Sequence, residues 1–72
     1  MGRIKVSGAV LDGLEAVRHS GETNMLDRPV VARLASELGY EEAARWIESH
    51  HREYAQGIFR GFEAAEGEHD GR

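Results

Sequence analysis

The chain has no cysteine, a single proline and a single lysine among its 72 residues. Without cysteine, neither disulfides nor a thiolate zinc site can brace the fold, and nucleophilic thiol chemistry is excluded. A structural metal would have to be held by histidine and carboxylate alone. No apolar run approaches the roughly 18 residues of a membrane span, and the N-terminal MGRIKVSG lacks the apolar stretch of a secretory signal. The sequence also contains no G-x-S-x-G, no phosphate-cradling glycine loop and no H-E-x-x-H. These absences predict a non-enzymatic, cytoplasmic protein with no cofactor, no metal and no membrane partner.

A chain of this length buries only about 60% of the surface its unfolded form exposes, so stability is marginal and each apolar residue counts. The net charge is −4. Its distribution is uneven: Glu63 to Arg72 hold four acids and one arginine, which leaves residues 1–62 with eight basic and nine acidic side chains. The expectation is one domain over 1–62 followed by an acidic, disordered tail over 63–72. A nearly neutral body is not the basic footprint of a typical nucleic-acid binder. The eight arginines against one lysine arise as readily from a GC-rich genome as from binding chemistry.

Period and punctuation predict an all-α fold, a small bundle of three helices, or four if the last segment breaks. Ser7 is a candidate N-cap for the first, which lines up Val10, Leu11, Leu14 and Val17 and stops at Gly21. Gly8 and Gly13 weaken it, each by up to about 1 kcal/mol relative to alanine. Ile4 and Val6 form an extended lead-in. The second helix has Asp27 as its expected cap and Pro29 in its first turn. It carries Val30, Val31, Leu34, Ala35 and Leu38 on one face until Gly39.

Between these helices lies SGETNMLDRP, residues 20–29, turn-like in composition yet with two adjacent large apolar side chains. Leu26 before the cap and Val31 at the fourth helical position would form a hydrophobic staple. Met25 would fill the gap between helices, and Asn24 would close an Asx turn. Asn24, Met25, Leu26 and Asp27 are therefore expected to make a structured plug.

From Glu41 to about Arg60 a continuous or slightly kinked helix is expected, with a break near Ser49-His50-His51 as the alternative. Ala43, Ile47, His51, Tyr54, Ile58 and Phe62 form its apolar stripe. Trp46 and Phe59 fall to opposite flanks, so either the segment bends to bring both rings to the core or it offers aromatic surface to a partner.

These pieces, in the order VLDGLEAVRHSG, TNMLD, VARLASELGY, WIESHHREYA and IFRG, resemble a family of short bacteriophage and prophage proteins from about Val10 to Gly61. Similar proteins carry a Thr-Asn-Met-aromatic-Asp turn, and Leu26 stands here where the aromatic residue is usual. The resemblance implies a genomic setting and no mechanism.

Four readings compete. Glu41-Glu42 and Glu48 with Glu53 could form acid–base pairs, but a small helical body offers little sheltered volume to tune them. His50 and His51 would point about 100° apart on a helix and suit a metal poorly, which leaves His51 as a hydrogen-bonded residue at the core edge. LASELGY resembles the first half of a helix-turn-helix, with Arg45, Arg52 and Arg60 as candidate phosphate contacts. Counting on from Ala35, however, the packing positions of the second helix fall on Arg45 and Glu48. Neighbouring glutamates also oppose DNA. Protein binding, with Trp46, Phe59 and Tyr40 as partner-binding residues and a homo-oligomer as one form, is the preferred expectation. A small DNA-binding regulator is the alternative.

Overall fold

The computed structural model describes residues 2–65. Four helices lie between two short strands: β1 (Ile4–Val6), α1 (Gly8–Ser20), α2 (Arg28–Glu37), α3 (Glu41–Ser49), α4 (His51–Arg60) and β2 (Phe62–Ala64). The fold is all-α apart from the strand pair. That pair is parallel, with Ile4 opposite Phe62 and Val6 opposite Ala64, so it ties one end of the described chain to the other. The Ile4 N–H donates to the Gly61 carbonyl at 2.9 Å, and the Ala65 N–H to that of Val6 at 2.6 Å. Residues 63 and 64, expected in the tail, thus belong to the body. Residues 66–72 of that expected tail lie outside the described residues.

Local chemistry explains the first three helices. Ser7 caps α1, its Oγ accepting from the Val10 N–H at 3.2 Å and donating to Glu42 on α3 at 3.0 Å. Gly21 ends α1 in the left-handed region at φ 67°, which glycine enters without steric cost. After α2, the Tyr40 N–H reaches the Ala35 carbonyl and the Gly39 N–H that of Ser36, with Gly39 at φ 97°. These two bonds satisfy carbonyls that a helix end leaves open and turn the chain directly into α3.

The core forms where α1, α2 and α3 meet. Val10, Leu14 and Val17 of α1 face Val31 and Ala35 of α2 and Ala43 and Ile47 of α3, all at most 2% exposed. Gly13 is the point of closest approach: a Cβ placed there would overlap the Cβ of Ala43 and stand 2.9 Å from that of Tyr40. The glycine that weakens α1 as an isolated helix is what lets α3 pack against it.

The loop and the last segment depart from expectation. Asn24 Oδ1 accepts from the Leu26 N–H at 2.8 Å, closing an Asx turn, and the Asp27 N–H donates to the Asn24 carbonyl at 2.9 Å. Met25 is half-buried against the core, and its carbonyl accepts the Tyr54 hydroxyl of α4. Leu26, however, is 63% exposed, so it forms no buried staple with Val31. The turn spends its inward direction on Met25 and leaves the next residue facing water. Asp27 occupies the N-cap position of α2, but its carboxylate makes no capping bond. Leu38, expected on the buried face, is 49% exposed at the C-cap.

The helix expected to run on from Glu41 breaks at His50, which sits at φ −126°, ψ 62° between α3 and α4. The Trp46 carbonyl keeps the His50 N–H at 2.9 Å, and side chains bond back onto the last turn of α3 beside it. Ser49 Oγ donates to the Arg45 carbonyl at 2.9 Å, and His50 Nδ1 lies 3.0 Å from the Trp46 carbonyl. Local bonds of this kind offer the backbone an alternative to continuing the helix. His51, expected at the core edge, starts α4 in solvent, with Nε2 2.7 Å from the Glu48 carbonyl.

Candidate interaction surface

The break at His50 decides where each aromatic side chain goes. Trp46, half-buried at the end of α3, stacks on the His50 imidazole with ring centroids 4.8 Å apart and planes 11° apart. Its other ring neighbour is Phe62 of β2, edge-on at 6.0 Å. Phe62 in turn lies 6.1 Å from Tyr54 and over Gly57, where its ring occupies the space a Cβ would need. Trp46, Phe62 and Tyr54 thus close one side of the core, and β2 brings the middle ring into place.

Tyr54 is buried within this group. Burial pushes its phenol up to about 12; the Arg28 guanidinium opposes that rise, and the Asp27 carboxylate adds to it. Its proton is kept on the bond to the Met25 carbonyl, which is a structural role for the hydroxyl.

The three residues expected to bind a partner are therefore not one cluster. Tyr40 is half-buried at the α2–α3 corner beside Gly13, and Trp46 is half-buried against His50 and Phe62. Phe59 is 82% exposed on the outer side of α4, and among the described residues no ring contact includes it. The bend absorbs one flank of the expected stripe and leaves the other in water. The sequence pattern places Phe62 only on that stripe. Its pairing opposite Ile4 depends on a contact across the length of the chain, for which the local pattern carries no signal.

The remaining candidates have other occupations. Glu42 accepts from Ser7 and Glu41 from Ser36 at 2.8 Å, so this pair ties helix ends together. Arg45 and Glu48, which a helix-turn-helix would bury, are both exposed, while Ala43, Ala44 and Ile47 are buried. The register shift anticipated from the sequence is present. Among the described residues no cavity is found and no three of His, Asp and Glu gather where an ion could be held. No described helix is long and apolar enough to cross a membrane.

The geometry defines a small helical protein. A family described as Domain of unknown function (DUF5049) matches residues 7–62, and the chain belongs to that family. The matched span contains all four helices and ends at the first residue of β2. No curated protein and no solved structure matches the chain.

Proposed function

We propose that the protein is a small non-enzymatic accessory protein of phage or prophage type, working in the cytoplasm by binding another protein. The observation that carries this reading is the exposure of Phe59, 82% in a chain with few large apolar side chains to spare. A phenylalanine left in water contributes no burial to a domain that has little core to spare, and aromatic side chains are enriched in interface cores. The partner is a second copy or a host, defence or phage protein. The phage setting rests on the turn TNMLD and the order of the helical pieces around it.

The alternative, a helix-turn-helix-like regulator, draws on the short turn Leu38-Gly39-Tyr40 between α2 and α3. The exposed Arg45 and Glu48 and the net charge of −4 weigh against it.

The test is affinity capture from host extract with the wild-type chain and with Phe59→Ala, alongside sedimentation across concentrations. The expected result is a partner, or a self-associated form, that the variant loses while its helical circular dichroism is unchanged. Equal capture and equal sedimentation by the two would refute the reading. Binding of random duplex DNA at about 50 mM salt, weakening steeply as salt rises, would favour the regulator instead.

A further inference from the structure

We propose that the outer face of α4 is a docking strip for an acidic amphipathic helix, with Phe59 entering the partner's apolar row and Arg52 and Arg60 meeting its carboxylates. The inference rests on the protein-binding reading and adds the chemistry of the partner.

Helical residues four apart lie in one row. Ala55 and Phe59 make an apolar row on α4, and Arg52, Gln56 and Arg60 make the row beside it. Arg52, Ala55, Phe59 and Arg60 are exposed and Gln56 is half-buried, while Tyr54 and Gly57 face the core. Neither arginine has an ion-pair partner among the described residues, where the salt bridge found joins Arg33 to Glu37 on α2. Glu53, also exposed, lies about 100° around the helix from Arg52 but only about 20° from Arg60, so it offsets one of the two arginine charges. The strip is therefore net positive in a chain whose total is −4.

That charge discriminates among occupants. A second copy docking about a twofold axis would set the two arginines of each strip against those of the other, and like charges facing across an interface oppose association. Two arginines would also release too few counterions to hold a nucleic acid, for which roughly 6–10 phosphate contacts are usual. An acidic amphipathic helix fits both rows. Its apolar side chains cover Phe59 and Ala55, and carboxylates about two turns apart match Arg52 and Arg60, which are about 12 Å apart along the axis.

The probe is a synthetic helical peptide of about 14 residues, leucine in one row and glutamate in the next, titrated into the isotopically labelled full chain and followed by amide NMR. Shifts should concentrate at Arg52, Ala55, Gln56, Phe59 and Arg60. Affinity should fall about tenfold or more in Phe59→Ala, in the double variant Arg52→Glu with Arg60→Glu, and between about 50 and 500 mM salt. The same peptide with lysine for glutamate should not bind. All three substituted residues are exposed, so circular dichroism should match the wild type.

No shifts, shifts centred elsewhere, or equal binding of the lysine peptide would overturn the proposal. So would tighter binding of a thymidine oligonucleotide of about 12 bases, or a dimer that Phe59→Ala dissolves. A partner captured from host extract that is lost with Phe59→Ala but kept by the double arginine variant would leave protein binding standing and remove the acidic helix. Capture indifferent to Phe59→Ala would remove the protein-binding reading itself.

Discussion

Replacing Gly13 with alanine tests the packing of this protein most sharply, because local and tertiary reasoning predict opposite signs. In an isolated helix the change is favourable by up to about 1 kcal/mol, since glycine loses more backbone freedom on folding than alanine. In the folded protein the new methyl would stand 2.9 Å from the Tyr40 Cβ, about 1 Å inside an ordinary carbon–carbon contact of roughly 3.8 Å. Its overlap with the Ala43 Cβ is deeper still. Both obstacles are first side-chain atoms, which no rotamer change can move, so α1 and α3 must separate. Ala43 and the neighbouring Leu14 are at most 1% exposed, so the separation opens the centre of the core.

Overpacking of this kind costs about 1–3 kcal/mol, occasionally more. With backbones as the only way out we place this case at the upper end, for a net loss of about 2 kcal/mol after the helix-propensity gain. That is a large share of the few kcal/mol available to a domain this small. Urea denaturation followed by helical circular dichroism would read the loss as a lower midpoint at unchanged slope. Ala43→Gly introduced alongside Gly13→Ala should recover part of it. A Gly13→Ala variant as stable as the wild type, or more so, would refute the account of how α1 and α3 meet.

Other substitutions probe the loop and the ring cluster. Tyr54→Phe removes the hydroxyl that holds the Met25 carbonyl and should cost about 1–2 kcal/mol, with faster amide exchange over residues 22–27. Because the Tyr54 phenol is pushed up to about 12 from an unfolded value near 10, its contribution to wild-type stability should be fully present below about pH 10. The wild type should then lose on the order of 2 kcal/mol as pH rises through 12, and Tyr54→Phe should lack that loss; denaturation series at the two pH values would show it. Leu26→Ala should change stability by less than about 0.5 kcal/mol, as fits a side chain 63% in water, and a buried staple would give a larger loss in the same melt. Phe62→Ala strips the edge of Trp46, so the tryptophan emission should shift to longer wavelength, with a stability loss of about 2 kcal/mol.

Much of this architecture is legible residue by residue. Ser7 as a cap, the Val10, Leu14 and Val17 face, and the stops at Gly21 and Gly39 all follow from interactions within a few positions along the chain. The Asx turn at Asn24 is of the same kind. The misjudged features depend on competition between alternatives of similar local merit. His50 can continue a helix or end it, and the helix ends there with the Ser49 and His50 side chains folded back onto the Arg45 and Trp46 carbonyls beside the His50 N–H. Met25 and Leu26 are equally apolar, but the turn geometry admits only one of them to the interior.

The candidate surface follows the same division. The sequence placed Trp46 and Phe59 on opposite flanks of one helical stripe, because a period of about 100° per residue requires it. Their different fates came from the fold. The bend at His50 and the pairing of Phe62 opposite Ile4 enclose Trp46 from two sides, while α4 turns Phe59 outward between Ala55 and the arginines. By itself the sequence determined where the first helices begin and end and which faces are apolar, since those are properties of neighbours along the chain. Tertiary structure decided which aromatic ring is left for a partner, since that depends on contacts between residues almost sixty positions apart, which no local pattern contains.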